Sequence, residues 1–353
     1  LKSDIEEISR DGGGTECSTP PVKDSTQTEF EKFGHALKDI GFFQIINHGI
    51  DFELINSVMQ CSHRFFELPT EIKRSIQMKE DVNRGYFGYM DENLDDNNAV
   101  KSYIGDIKEG YDMGIELPFP DFTPYMPVLG WHKGNQWLDS ELVPEFRKIM
   151  LAYIHQMMKL ARQLASFMAI VIGCDSKCFG EFFLSPIINL RILHYPPNLD
   201  RLNSLNENFR EAYCSCAPHT DYGCCTLLLQ DACGGLEILA PDGTFISCPP
   251  IEGAFVINIG DMMARWSSGL LKSTVHRVVR TKESIAMDRY SVPFFFSPSP
   301  HVSLVPLVAP PTKTEGKKSM ETDAMAAKAF TCEEWLNKRY NRSFTALHSE
   351  SRS

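Results

Sequence analysis

Residues 217–231 read APHTDYGCCTLLLQD. A histidine and an aspartate, His219 and Asp221, stand two positions apart just ahead of the apolar run Cys225–Leu229. Residues two apart on a strand point to the same face, so the imidazole and the carboxylate can aim at one point. Pro218 and Gly223 mark a backbone that is turning there. The stretch therefore reads as the end of one strand, a turn carrying two polar groups, and the start of a core strand.

A third group of the same kind stands in STVHRVV, residues 273–279. Alternation puts Val275 and Arg277 on one face and His276 on the other. Two histidines and one carboxylate form the facial triad of non-haem Fe(II) sites, which leaves coordination positions open. Catalytic zinc uses the same donors, so the ligand set alone leaves the metal undecided. An HxD pair by itself is common by chance, and a lone strand histidine is usually hydrogen-bonded packing.

The next segment strengthens the case. In DRYSVPFFFSP, residues 288–298, Arg289 and Ser291 share a strand face. A guanidinium grips a carboxylate with two parallel hydrogen bonds, and a serine hydroxyl can donate another. The pair is a candidate carboxylate anchor; standing alone it would read as a surface salt bridge beside a solvent-facing serine.

Around these motifs the texture is β-rich. INLRILHY, CCTLLLQ, GLEILA, GTFISC, AFVINIG, STVHRVV and YSVPFFFSP follow one another after Gly173, separated by Gly, Pro, Asp and Asn. Short strands punctuated this way predict a sandwich or barrel. Helices come earlier: Phe30, Phe33, Leu37 and Ile40 recur at helical spacing and stop at Gly41, and DFELINSVMQCSHRFFELP ends at Pro69. A long helix is predicted over 141–172, with Ile149, Tyr153, Met157, Leu160, Leu164, Met168 and Val171 on one face. Thr331 and Glu334 form a capping-box signature for a final helix. Helices first and strands afterwards predict an α+β fold in which helices support one β-core. Residues 1–27 are predicted to be a poorly ordered tail, 28–140 an N-terminal region with substrate-side loops, and 141–345 the scaffold helix, the β-core and the last helix. The stretch 312–324 is expected to be an exposed loop.

Composition narrows the partners. The 353 residues carry 35 basic and 46 acidic side chains, a formal charge of −11, which disfavours a nucleic-acid backbone or an anionic membrane. No segment approaches the roughly 18 consecutive apolar residues of a membrane span. Eleven cysteines without CxxC spacing are expected to be reduced, buried thiols in a cytoplasmic protein; whether a targeting segment preceded Leu1 is left open. A small-molecule substrate and a monomer are the expectation.

With these residues in place the chain resembles the iron- and 2-oxoglutarate-dependent dioxygenases of the isopenicillin N synthase-like superfamily. The likeness lies in the order HTD at 219–221, His276 and RYS at 289–291, and in LRILHYPP, GGLEIL, FVINIGDMMARWSSGLLKSTVHRV and IGFFQIINHGI around them, over residues 28–340. The resemblance implies a double-stranded β-helix, or jelly roll, with Fe(II) on His219, Asp221 and His276. It implies 2-oxoglutarate as co-substrate, its distal carboxylate on Arg289 and Ser291, with Tyr195 helping to hold it. Dioxygen is the third reactant, and the chemistry implied is oxidative decarboxylation to succinate coupled to oxidation of a substrate C–H bond, often in secondary metabolism.

On the substrate side, NRGY and KEGYDMG place Arg84, Tyr86, Lys108, Glu109 and Tyr111 at the expected pocket mouth, and Arg191 shares a strand face with Leu193 and Tyr195. Arg84 and Arg191 would suit a carboxylate-bearing, amino-acid-like substrate. Phe294, Phe296, Leu227 and Leu229 are expected as an apolar wall near the metal. Two other readings are weighed: an oxidase of the same fold that needs no 2-oxoglutarate, and a non-catalytic cupin-like binding module.

Overall fold

The computed structural model describes residues 25–79, 83–94, 106–116, 131, 134–198, 214–281, 284–310 and 330–344. The loop expected at 312–324, and all but the last three residues of the 1–27 tail, lie outside the described residues.

Helix α1 (Ser25–Asp39) begins inside the stretch read as tail. It stops at Gly41, whose φ of +75° is a left-handed conformation and whose N–H donates to Ala36 O at 2.7 Å. A side chain there would run into the carbonyl of Lys272, so only glycine fits. Helix α2 (Phe52–Phe66) is capped by the Asp51 carboxylate, which accepts from Glu53 N at 3.0 Å, and it buries Ile55, Val58 and Phe65. The short α3 (Thr70–Arg74) follows the Pro69 stop. Helix α4 (Phe146–Val171) buries Tyr153, Met157, Leu160, Leu164 and Met168 as its spacing predicts. A six-residue α5 (Ser176–Glu181) leads into the β-core.

Eleven strands are described: β1 (Phe42–Ile45), β2 (Gly85–Phe87), β3 (Glu109–Met113), β4 (Ile187–Tyr195), β5 (Cys214–His219), β6 (Cys225–Gln230), β7 (Leu236–Leu239), β8 (Phe245–Ser247), β9 (Phe255–Ile259), β10 (His276–Val279) and β11 (Arg289–Ser297). They form two antiparallel sheets. The larger has the order β1-β9-β6-β11-β4-β3-β2, and the smaller β5-β10-β7-β8. This is the jelly-roll core of an α+β fold. Three strands from the N-terminal region, β1, β2 and β3, complete the larger sheet, so both of its edges are built from residues before position 140.

Strand parity divides the larger sheet. On β4, residues 188, 190 and 192 turn into the core with α2 and α4, while Asn189, Arg191, Leu193 and Tyr195 turn the other way, into a cavity between the two sheets. Helix α6 (Asp261–Trp266) bridges β9 to the segment before β10. Helix α7 (Cys332–Ser343), with the predicted Thr331–Glu334 capping box formed in both directions, closes one side of the same cavity. Among the described residues no helix is long and apolar enough to cross a membrane. Cys214, Cys216, Cys224 and Cys225 are free thiols, as expected from their spacing.

Candidate metal centre and cavity

His219 ends β5 and His276 begins β10, and the two are direct partners across the antiparallel ladder. Their ring centroids lie 4.3 Å apart. Asp221 follows in the turn after β5, with Oδ1 3.8 Å from His219 Nε2 and 3.7 Å from His276 Nε2. One ligand atom from each of the three residues falls within 4.8 Å of the others.

Each group is oriented from behind. His219 Nδ1 donates to Ala217 O at 2.7 Å and His276 Nδ1 to Thr274 O at 3.1 Å, which leaves both Nε2 lone pairs for a metal. Asp221 Oδ2 accepts from Thr226 Oγ1 at 2.5 Å and from Asn258 Nδ2 at 2.7 Å, which leaves Oδ1. Burial works against ionising Asp221, but His276, His219 and these two donors outweigh it and hold the carboxyl below its usual range. Burial, and then the neighbouring His219, push His276 down to about 4, so it is a neutral ligand at pH 7. Two imidazoles and a carboxylate converging on one point are a donor set that fits Fe(II).

The cavity encloses about 110 Å³ and runs from this triad to the opposite sheet. There Arg289 stands opposite Tyr195 across β11 and β4, with its guanidinium 4.7 Å above the tyrosine ring. Arg289 Nε donates to Gly234 O at 2.6 Å and Nη1 to Ser291 Oγ at 3.3 Å. No carboxylate pairs with this buried cation among the described residues. Tyr195, pushed up to about 12 by burial, presents a hydroxyl and not a phenolate.

The expected substrate residues divide differently. Arg191 lines the cavity, but each of its nitrogens already bonds a carboxylate of the chain: Nε and Nη2 pair with Asp112 at 2.6 and 2.8 Å, and Nη1 pairs with Glu92 at 2.8 Å. Its faces lie against Phe87, Phe295 and Phe344. Lys108 also reaches the cavity and is held by Asp106 and by Glu92 at 2.8 Å. Arg84 lies off the cavity, its guanidinium bonding the carbonyls of Asn83, Trp131 and Ile188. The pairing of Arg84 and Arg191 as a carboxylate grip is thereby corrected. Both cations brace backbone or carboxylates of the chain itself.

Tyr86 and Tyr111 are corrected too. They face each other across β2 and β3 on the helix side, where Tyr86 donates to Glu109 at 2.6 Å and Tyr111 to Gln136 O at 2.5 Å. Phe294 and Phe296, with Leu227 and Leu229, also face the helices and not the cavity. The cavity face of β11 carries Arg289, Ser291, Pro293 and Phe295, and that of β6 carries Thr226 and Leu228. The signal was in the sequence: counting by two from Arg289 through Ser291 arrives at Phe295. Asn258, Glu92 and the α7 residues Leu336 and Tyr340 also line the cavity, and no local motif marks them.

Residues 18–140 match the family described as non-haem dioxygenase in morphine synthesis N-terminal, and residues 187–298 match the 2OG-Fe(II) oxygenase superfamily. The 2-oxoglutarate-Fe(II) type oxidoreductase hxnY of Emericella nidulans is 36% identical over 74% of this chain and 71% of its own length. The 2-oxoglutarate-dependent dioxygenase citB of Monascus ruber is 34% identical over 81% and 84%. The crystal structure of a full-length Neurospora crassa protein in complex with alpha-KG and thymine superposes with a TM-score of 0.72, at 28% identity, covering 92% of this chain and 94% of that one. The chain belongs to the 2-oxoglutarate- and Fe(II)-dependent oxygenases. It is an enzyme of the family that uses Fe(II), 2-oxoglutarate and dioxygen.

Proposed function

We propose that His219, Asp221 and His276 hold the Fe(II), that Arg289 and Ser291 bind the distal carboxylate of 2-oxoglutarate with Tyr195 alongside, and that a small molecule in the outer half of the cavity is oxidised at a C–H bond. The observation that carries this reading is Arg289: a buried cation facing the triad across the cavity, with no carboxylate partner among the described residues. An unpaired buried charge is costly, and a bound dicarboxylate removes that cost.

The bound iron supplies a redox centre with open positions for co-substrate and dioxygen. The chain's own residues do the rest. Ala217 and Thr274 carbonyls fix both histidine tautomers, and Thr226 with Asn258 turns one oxygen of Asp221 toward the metal. Gly234 O and Ser291 hold the Arg289 fork in place, at a fixed separation from the triad. Leu193 and Leu228 keep the space between apolar, which limits water. None of these groups selects among hydroxylation, desaturation and ring closure; the position of the substrate C–H bond does. The complex of the Neurospora crassa protein with alpha-KG and thymine supports a small-molecule substrate taken together with 2-oxoglutarate.

The test is anaerobic. Fe(II) and 2-oxoglutarate are added to the wild-type protein and to Arg289→Leu, and the weak visible charge-transfer band of a chelated 2-oxo acid is recorded. A band in the wild type that fades in the variant supports both assignments. Iron binding without a band would favour a 2-oxoglutarate-independent oxidase, and no iron binding would sink the metal assignment.

A further inference from the structure

The outer half of the cavity, away from Arg289, is walled by rings. Trp131 meets Tyr340 edge-on with centroids 4.7 Å apart, and Tyr340 stacks on Phe344 at 5.9 Å. Phe295 and Tyr222 add two further rings. The hydroxyls and amides among them are already paired: Tyr340 accepts from Asn189 Nδ2 at 2.9 Å, Tyr222 bonds Ser343 at 2.7 Å, and Trp131 Nε1 donates to Asn337 at 2.8 Å.

Two further cations, Arg191 and Lys108, line the cavity. Three carboxylates surround them. Glu92 takes Arg191 on Oε1 and Lys108 on Oε2, both at 2.8 Å, Asp112 takes the other edge of Arg191, and Asp106 takes Lys108. An incoming carboxylate would find no free fork. It would approach a cluster whose negative groups outnumber its positive ones. An incoming ammonium would have to compete for Glu92, which already pairs with both cations, and for Asp112, whose oxygens accept from Arg191 and Asn189.

We propose that this half of the cavity is a subsite for an uncharged aromatic small molecule, and that Glu92 sets the preference by neutralising Arg191 and Lys108 together. The inference rests on the reading of Arg289 as the 2-oxoglutarate anchor, which leaves the ring-walled half for the substrate. Stacking between the rings and apolar burial supply the affinity, and the neutralised cluster supplies the discrimination. Burial also pushes the Asp106 carboxyl above its usual range, which brings the cluster nearer to neutrality.

Three probes that share a 3-hydroxyphenyl ring and differ in the charge of one small substituent test this: 3-hydroxybenzyl alcohol, 3-hydroxybenzoate and 3-hydroxybenzylamine. Each is titrated by ligand-observed NMR against the full chain, loaded anaerobically with Fe(II) and saturating 2-oxoglutarate. The alcohol is expected to bind about tenfold tighter than the benzoate or the amine. In Glu92→Gln the benzoate is expected to gain about tenfold while the alcohol changes little, because one cation is released. Trp131→Leu should weaken the alcohol in either background. A benzoate or amine that binds as well as the alcohol in the wild type overturns the proposal, and so does an alcohol that fails to bind. If Glu92→Gln does not fold, the wild-type series and Trp131→Leu still decide. The binding of 2-oxoglutarate is read separately in the first titration, so its absence would strike the Arg289 reading, and the probe series repeated on Arg289→Leu would then show whether the benzoate had seated on Arg289.

Discussion

Asn258 Nδ2 lies 2.7 Å from Asp221 Oδ2, and Asn258 is itself the cross-strand partner of Thr226, which donates to the same oxygen. A strand pair of the larger sheet thus decides which oxygen of a carboxylate on the smaller sheet's edge remains for the metal. Removing one donor frees the carboxylate to rotate and leaves its inner oxygen under-satisfied. Asn258→Ala is expected to weaken Fe(II) affinity by about 10- to 100-fold while leaving the fold intact. Competition against a colorimetric chelator measures it. An unchanged affinity would show that Thr226 alone holds Asp221.

Gly260 makes a second prediction about the same turn. Its N–H donates to Cys224 O at 3.0 Å, and a Cβ built on it would fall 2.3 Å from Gly223 O and 3.1 Å from Asp221 O. Both obstacles are backbone, so nothing can rotate away. Gly260→Ala should lower stability by about 2 kcal/mol or more and displace the Asp221 turn. A variant that keeps both its melting temperature and its metal affinity would contradict this close approach.

The triad and the anchor were legible because strand parity is local: His219 with Asp221, and Arg289 with Ser291, are two apart, and alternation fixes their common face. The α4 stripe was legible for the same kind of reason. The cavity's outer wall was not. Glu92 and Tyr340 reach it from segments far apart in the chain, and no spacing rule connects them. Strands β2 and β3 were missed because their residues include Gly and Asp, poor strand formers, and the pairing of β3 is supplied by the longer β4. Arg191 was placed on the correct face, yet its partners Asp112 and Glu92 decide what it can do, and those pairings are tertiary. Phe294 was lost to a parity error that the Arg289–Ser291 pair could have prevented.

Arg84 is expected to be structural. It is almost fully buried and supplies donors to the carbonyls of Asn83, Trp131 and Ile188 and to Asn189 Oδ1. Burial opposes its charge, so its place is secured by these bonds. Arg84→Met leaves the carbonyls without donors and should cost about 3 kcal/mol of stability. The KM for 2-oxoglutarate, measured well below the melting temperature, should stay within about twofold, since the chain's anchor is elsewhere. A large rise in that KM with stability unchanged would return Arg84 to the site.

Glu109 carries the pH prediction. Its Oε2 accepts from Lys73 at 2.7 Å and Tyr86 at 2.6 Å, and its Oε1 faces His194 Nδ1 at 2.8 Å and accepts from Tyr89 at 2.9 Å. Burial raises the cost of its charge, but His194, Lys73 and Tyr86 more than offset that and bring the carboxyl down to about 2. A carboxyl lowered by folding stabilises the native state above its unfolded value of about 4.3, and that stabilisation is lost as pH falls from there toward about 2. Glu109→Gln should therefore be less stable than the wild type at pH 7, by on the order of 3 kcal/mol, with a gap that narrows as the pH drops below about 5. Urea unfolding of both proteins from pH 7 to pH 3 measures the gap directly. A gap that stays constant across that range would mean that Glu109 acts through packing and not through its charge.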